Sequence, residues 1–197
     1  MTPLTQSTAA PPNDALVSDL VEYALVIEDV TLSSGVKAKY FIDAKRVILR
    51  PSGFRVLTEQ VQHYIRQFEA TAVGGLTLGA DAIACAALVD ATDDVKGFFV
   101  RKEPKRHGLQ KLIEGPALEP GDRCLIVDDV VTSGASTIQA IEAIKAIGQP
   151  GIEICGVLAV VDRLAGGAEL IEAAADAPFV ALTTIDDVYP ERPDRDA

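Results

Sequence analysis

Apolar residues return at helical spacing through residues 14–27 (DALVSDLVEYALVI), which predicts an opening amphipathic helix with Asn13 or Asp14 as its cap. The pattern then shortens. Two β-like runs, at 30–32 and 40–42, flank a glycine-containing connection and predict a hairpin. Pro51-Ser52-Gly53 interrupts the chain before a second helix over 54–69, with Val56, Leu57, Val61, Ile65 and Phe68 on one side. From residue 70 onward strand and helix alternate. Strands are expected at 70–73 (ended by Gly74-Gly75), 97–100, 123–131, 152–161 and 179–182, and helices at 80–89, 136–147 and 166–175. These strands are apolar throughout rather than at every second position, so both faces of their sheet should be covered. The fold class is therefore α/β, a central, mostly parallel sheet flanked by helices, with a small N-terminal hood containing the β-hairpin. Residues 1–13 read as a disordered tail, 14–50 as the hood, 51–188 as the α/β core and 189–197 as a mobile tail.

Composition narrows the classes. A chain of 197 residues, 48% of them hydrophobic, fits one domain with an appendage. No apolar run approaches the roughly 20 residues that span a bilayer, and the N-terminus has neither the basic start nor the apolar stretch of a secretory signal. Cys85, Cys124 and Cys155 are odd in number, far apart and matched to no metal-site spacing. They read as small buried hydrophobes in a reducing cytoplasm. A net charge of −11 argues against a general nucleic-acid or anionic-membrane binder. Its distribution says more. Between residues 101 and 114, Arg101, Lys102, Lys105, Arg106 and Lys111 outnumber Glu103 and Glu114 by three, leaving −14 for the rest of the chain. Such an island predicts a dedicated site for a small, highly charged anion.

The densest chemistry lies at 125–137, LIVDDVVTSGAST. A buried strand ends in two adjacent acids, Asp128 and Asp129, and a loop of small and hydroxylated residues then opens a helix. In open α/β sheets ligands bind beyond the carboxyl ends of the strands, and a helix N-terminus offers free N–H groups to a phosphate. Gly134 and Ala135 permit close approach, while Thr132, Ser133, Ser136 and Thr137 add hydroxyls. Two carboxylates beside a phosphate cradle would repel the anion unless they serve another purpose. Vicinal ribose hydroxyls, which donate to carboxylates, supply one.

These residues resemble the binding signature for phosphoribosyl pyrophosphate (PRPP) of the type I phosphoribosyltransferases, spanning Asp128, Asp129, Val130, Val131, Thr132, Ser133, Gly134, Ala135 and Ser136. It is not a Walker loop, having no GKS/T. The segment FVRKEPKRHGLQKLIEG at 99–115 is similar to the mobile catalytic loop of the orotate phosphoribosyltransferases. That similarity implies that Arg101, Lys102, Lys105 and His107 neutralise the departing pyrophosphate. TLSSGVKAKY at 31–40, followed by Phe41 and Ile42, resembles the family segment lining the orotate pocket, and Arg163 in VVDRLAGG matches the arginine directed at the base, with Thr132 nearby. GGLTLG at 74–79 resembles the pyrophosphate loop. The resemblance further implies Mg²⁺ held mainly by PRPP, a homodimer whose mobile loop reaches the neighbouring site, and a place in pyrimidine biosynthesis. Some members carry lysine where Ser33 and Leu78 stand, which leaves Lys37, Lys39 and Lys111 as candidate compensating charges. The signature alone leaves the acceptor base open, and a non-catalytic PRPP-sensing regulator on the same fold is the remaining alternative.

Overall fold

The computed structural model describes residues 14–28, 30–31, 37–89, 91, 94–104 and 112–195. Lys105, His107, Gly108, Lys111 and Ser33 lie outside the described residues, as does the tail 1–13. Six strands form the main sheet in the order β10-β9-β8-β5-β6-β7. They are β5 (Ala72–Leu76), β6 (Lys96–Val100), β7 (Ile113–Glu114), β8 (Arg123–Val131), β9 (Glu153–Asp162) and β10 (Phe179–Thr184). All neighbours run parallel except β7, which lies antiparallel to β6 at the edge.

Why the strand sequences are apolar throughout is visible in β8. Leu125 and Val127 point to one buried cluster, Cys124 and Ile126 to the opposite one. Period-two alternation therefore feeds two cores instead of one core and solvent. The second cluster is roofed by α5 (Ala135–Lys145) and α6 (Gly167–Ala175). The first is roofed by α3 (Pro51–Phe68) and α4 (Asp81–Ala86), with Leu57, Val61, Tyr64 and Ile65 of α3 buried at helical spacing. Leu16, Leu20, Tyr40 and Ile42 of the N-terminal segment belong to this same cluster. The hood thus shares the core of the α/β body.

The hood is where sequence and structure part. Helix α1 (Asp14–Asp19) continues through a π-helical turn, Leu20–Ala24, and stops three residues before the expected end. Leu25 and Val26 form β1, which pairs antiparallel with Phe41 and Ile42 of β4. The run at 30–31 (β2) pairs instead with 37–38 (β3). The expected pairing of 30–32 with 40–42 is thus replaced by two nested pairs, because Leu25 and Val26 complete their backbone hydrogen bonds in a ladder rather than in a helix. A short helix not expected from the pattern, α2 (Lys45–Ile48), follows, and α3 begins at Pro51, whose fixed φ and missing N–H suit a first helical position. Gly74 and Gly75 lie inside β5, not in a loop. A Cβ on Gly75 would stand 2.1 Å from the Val127 carbonyl oxygen, so the missing side chain is what lets β5 sit where it does.

The closing segment makes contacts with the hood. After α7 (Ile185–Val188), Tyr189 packs edge-on against Tyr40 with ring centroids 5.3 Å apart, and Arg192 pairs with Asp186 and, at 3.4 Å, with Asp194. No helix among the described residues is long and apolar enough to cross a membrane. The three cysteines are free thiols, but only Cys124 is fully buried; Cys85 is exposed on α4, contrary to the expectation of a buried hydrophobe.

Candidate active site

Strand order fixes where a crevice can open. From β5 the chain proceeds to β6 on one side, and from β8 it proceeds to β9 on the other, so the order reverses between β5 and β8. Their carboxyl ends deliver two loops to this switch point, 77–80 after β5 and 132–134 after β8. The two loops meet at the acids. A Cβ on Gly79 would lie 2.4 Å from Asp129 Oδ1 and 2.9 Å from Asp128 Oδ1, so the backbone of the first loop rests directly on both carboxylates. Thr77 Oγ1 donates to Asp81 Oδ2 at 2.8 Å and ties this turn, which contains a cis Thr77-Leu78 peptide, to the start of α4.

Beyond Asp128 a cavity of about 120 Å³ is walled by Asp128 itself and residues 130–137. At about 30 Å³ per water, that is the volume of roughly four waters, a space suited to one phosphate group. Helix α5 opens onto it. Gly134 at the N-cap has φ 77°, and no side chain among the described residues caps the first turn, so the leading N–H groups of α5 are open to an anion. Thr132, Ser133, Ala135 and Ser136 are exposed around the cavity. Thr137, expected to serve the phosphate, does otherwise: its hydroxyl is buried and donates to Asp128 Oδ2 at 2.8 Å.

Both acids are buried at residue level, 5% and 7% exposed; Asp128 lines the cavity, and Asp129 sits against the loop at Gly79. Asp128 Oδ1 accepts the backbone N–H of Asp129 at 3.0 Å. Burial pushes the Asp128 carboxyl up to about 7; the Thr137 hydroxyl works against this and the neighbouring Asp129 charge adds to it. Asp129 Oδ1 accepts the Val130 N–H at 3.0 Å, while Oδ2 faces Lys45 Nζ at 2.7 Å. Nothing in the sequence pattern singled out Lys45, the first residue of α2.

The far end of the crevice gathers around Arg163. Its backbone N–H donates to Val131 O at 2.9 Å, and the buried Asp162 accepts the Leu164 N–H at 2.8 Å, so the turn bearing it is fixed from both sides. The guanidinium lies 4.9 Å from the centre of the Tyr40 ring, and Arg163 Nε is buried without a hydrogen-bond partner among the described residues. The Tyr40 hydroxyl donates to Asp194, 3.0 Å from each carboxylate oxygen. Phe41 and Ile42, expected at the base, point to opposite faces as successive strand residues do: Ile42 is buried in the core, and Phe41 is half-buried beneath Arg46. Tyr40 is the hood residue that reaches Arg163.

Of the cationic loop, Arg101 and Lys102 are described. The Arg101 N–H donates to Leu112 O at 2.8 Å, closing the neck of the loop, and its guanidinium faces Glu114 at 3.4 Å. Lys102 is exposed, with its carbonyl held by Gln139 Nε2 of α5 at 3.0 Å. Leu78 is 74% exposed.

A scan against protein-family models returns no match. The chain is 42% identical over 167 residues to an orotate phosphoribosyltransferase of Corynebacterium glutamicum (strain R), covering 85% of this chain and 88% of that one. Among solved structures, it resembles the Mycobacterium tuberculosis orotate phosphoribosyltransferase in complex with Fe(III) dicitrate, with TM-score 0.77 and 34% identity over 91% of this chain and 99% of that one. The same enzyme in complex with 5-phospho-alpha-D-ribosyl 1-diphosphate aligns with TM-score 0.72 and 30% identity, over 90% and 99% of the two chains. With identity of this depth across nearly the whole length, and the sheet, switch point and acid pair in place, the chain belongs to the orotate phosphoribosyltransferase family.

Proposed function

We propose that this crevice transfers the 5-phosphoribosyl group of PRPP to orotate, giving orotidine 5′-monophosphate and pyrophosphate. The observation that carries the reading is the 120 Å³ cavity at the open N-terminus of α5, contiguous with Asp128. The cavity takes the 5′-phosphate, and the two carboxylates accept the 2′- and 3′-hydroxyls of the same sugar. Orotate carries a carboxylate of its own, and Arg163 Nε is a buried donor with no acceptor among the described residues. Tyr40, stacked on that guanidinium, sets its plane.

As the C1′–O bond of PRPP breaks, positive charge grows on the ribose and negative charge on the leaving diphosphate, an oxocarbenium-like state. Arg101 and Lys102, joined by Lys105 and His107 from the loop, meet the growing negative charge. Excluding water from the crevice protects the sugar phosphate from hydrolysis. Mg²⁺ fits this donor chemistry: the diphosphate and ribose oxygens are the hard ligands it prefers, and the two neighbouring carboxylates ease the placement of a divalent cation. When bound it neutralises charge on the diphosphate. We read the enzyme as a cytoplasmic homodimer of pyrimidine biosynthesis in which the loop serves the neighbouring crevice.

Purified protein with Mg²⁺ and PRPP is expected to consume orotate, followed by its loss of ultraviolet absorbance, and to leave adenine, hypoxanthine and uracil untouched. Turnover of one of those bases instead of orotate would move the substrate assignment. Loss of turnover with every base would overturn the reading. Gly79→Ala probes the geometry. Its Cβ would collide with both carboxylates, and a displacement of about 1 Å at a reacting site costs on the order of 10²-fold, so kcat/KM for PRPP should fall by about that factor. An unaffected Gly79→Ala enzyme would place the sugar elsewhere.

A further inference from the structure

We propose that Lys45 is a positioning residue for the ribose-binding carboxylate, holding Asp129 in place at the crevice; this rests on the sugar-phosphate reading of the site. Lys45 Nζ lies 2.7 Å from Asp129 Oδ2 and 3.1 Å from Asp43 Oδ1. Asp43 stands behind it, just before α2, and its own N–H donates to Ala24 O at 3.0 Å. Lys45 is thereby braced from the hood and reaches across to the core.

The chemistry calls for such a cation. Asp128 and Asp129 are consecutive, buried and covered by the loop at Gly79. Two carboxylates in that setting disfavour joint ionisation, and an anionic substrate must approach them. One Asp129 oxygen is satisfied by the Val130 N–H; the other has Lys45. Burial on its own would depress the Lys45 ammonium, but the Asp129 and Asp43 carboxylates outweigh it and hold the group above its ordinary value. The pair is partly shielded, with the Asp129 side chain 10% exposed and the Lys45 side chain 41%. Leu78, on the neighbouring loop, offers the crevice no charge, and Lys45 supplies one from another element.

The contact also joins two ends of the substrate. Lys45 follows β4 within three residues, and the same hood segment carries Tyr40 against Arg163. The ion pair therefore fixes the base-binding hood relative to the ribose-binding acid, the alignment that attack on C1′ requires.

A double-mutant cycle tests this, with PRPP binding read by calorimetry and turnover of PRPP and orotate by steady-state kinetics. Lys45→Met and Lys45→Gln should each weaken PRPP binding about tenfold or more, chiefly through KM for PRPP, with thermal stability little changed. Lys45→Arg should restore most of the affinity. On an Asp129→Asn background, Lys45→Met should cost less than twofold. Binding by Lys45→Met within twofold of the unmodified protein overturns the proposal, as does an undiminished penalty on the Asp129→Asn background, which would make Lys45 merely structural. Unmodified protein that binds no PRPP overturns the site reading itself, a result distinct from either.

Discussion

Lys102→Ala is expected to lower kcat by about 10²–10³-fold, the usual loss when a donor aimed at developing charge is removed, while stability stays within about 0.5 kcal/mol. The side chain is exposed on the described strand-to-loop junction, and the nearby anchoring contact is made by the backbone carbonyl, which Gln139 holds whatever side chain stands at 102. A charge that matters most as the diphosphate departs acts on the transition state more than on bound PRPP, so kcat should fall further than KM rises. A kcat within threefold of the unmodified enzyme would remove Lys102 from the reaction. Mixing chains locates the site it serves. If the loop acts in the partner's crevice, Lys102→Ala and Asp128→Asn chains re-paired at random should regain about one quarter of the full activity, because half the dimers are mixed and each has one intact site. No gain on mixing would keep the loop at home.

Asp128→Asn should separate function from stability. Loss of a charged acceptor for a ribose hydroxyl is expected to cost about 10–100-fold in kcat/KM for PRPP. The fold should nonetheless gain. The Asp128 carboxyl stands at about 7 in the folded protein against 3.8 when unperturbed, raised chiefly by burial. Folding thus favours the protonated form. The stability that this proton carries is fully present below pH 4 and is lost as pH rises from there to about 7. Asparagine stays neutral throughout, so its advantage should be absent at pH 4, grow across that window and level off by pH 8, with a ceiling of about 4 kcal/mol. Melting temperatures of the two proteins at pH 4.5 and pH 8 measure the difference. An equal gain at both pH values would mean that something other than the buried charge is being relieved.

The legible parts of this molecule were those with a repeating physical signal. Strands β8 and β9 announce themselves as unbroken apolar runs because each face meets its own core, and α3 by buried apolar residues at helical spacing. The acid pair and phosphate loop were legible because every part lies within thirteen consecutive residues. What escaped was non-local. Leu25 and Val26 finish a helical pattern, and only a partner sixteen or so residues away makes them a strand. Ile113 and Glu114 form a two-residue edge, too short for any period to register. Gly74-Gly75 looks like a turn in sequence, and its crowding by Phe98 and Val127 exists only after the strands assemble. Lys45 sits in a Lys-Arg pair to which the local pattern assigns no element, and its partner is 84 positions distant. Asp194 is 154 positions from Tyr40. Thr137 reads as one more hydroxyl for the phosphate, because nothing local decides which of two nearby anions a helix residue will face.

The hydrogen bond from the Arg101 N–H to Leu112 O continues the β6–β7 pairing one step past Val100. Arg101 is therefore placed by the sheet edge itself, with Glu114 beside it, and replacing residues 105–111 should leave that guanidinium where it stands.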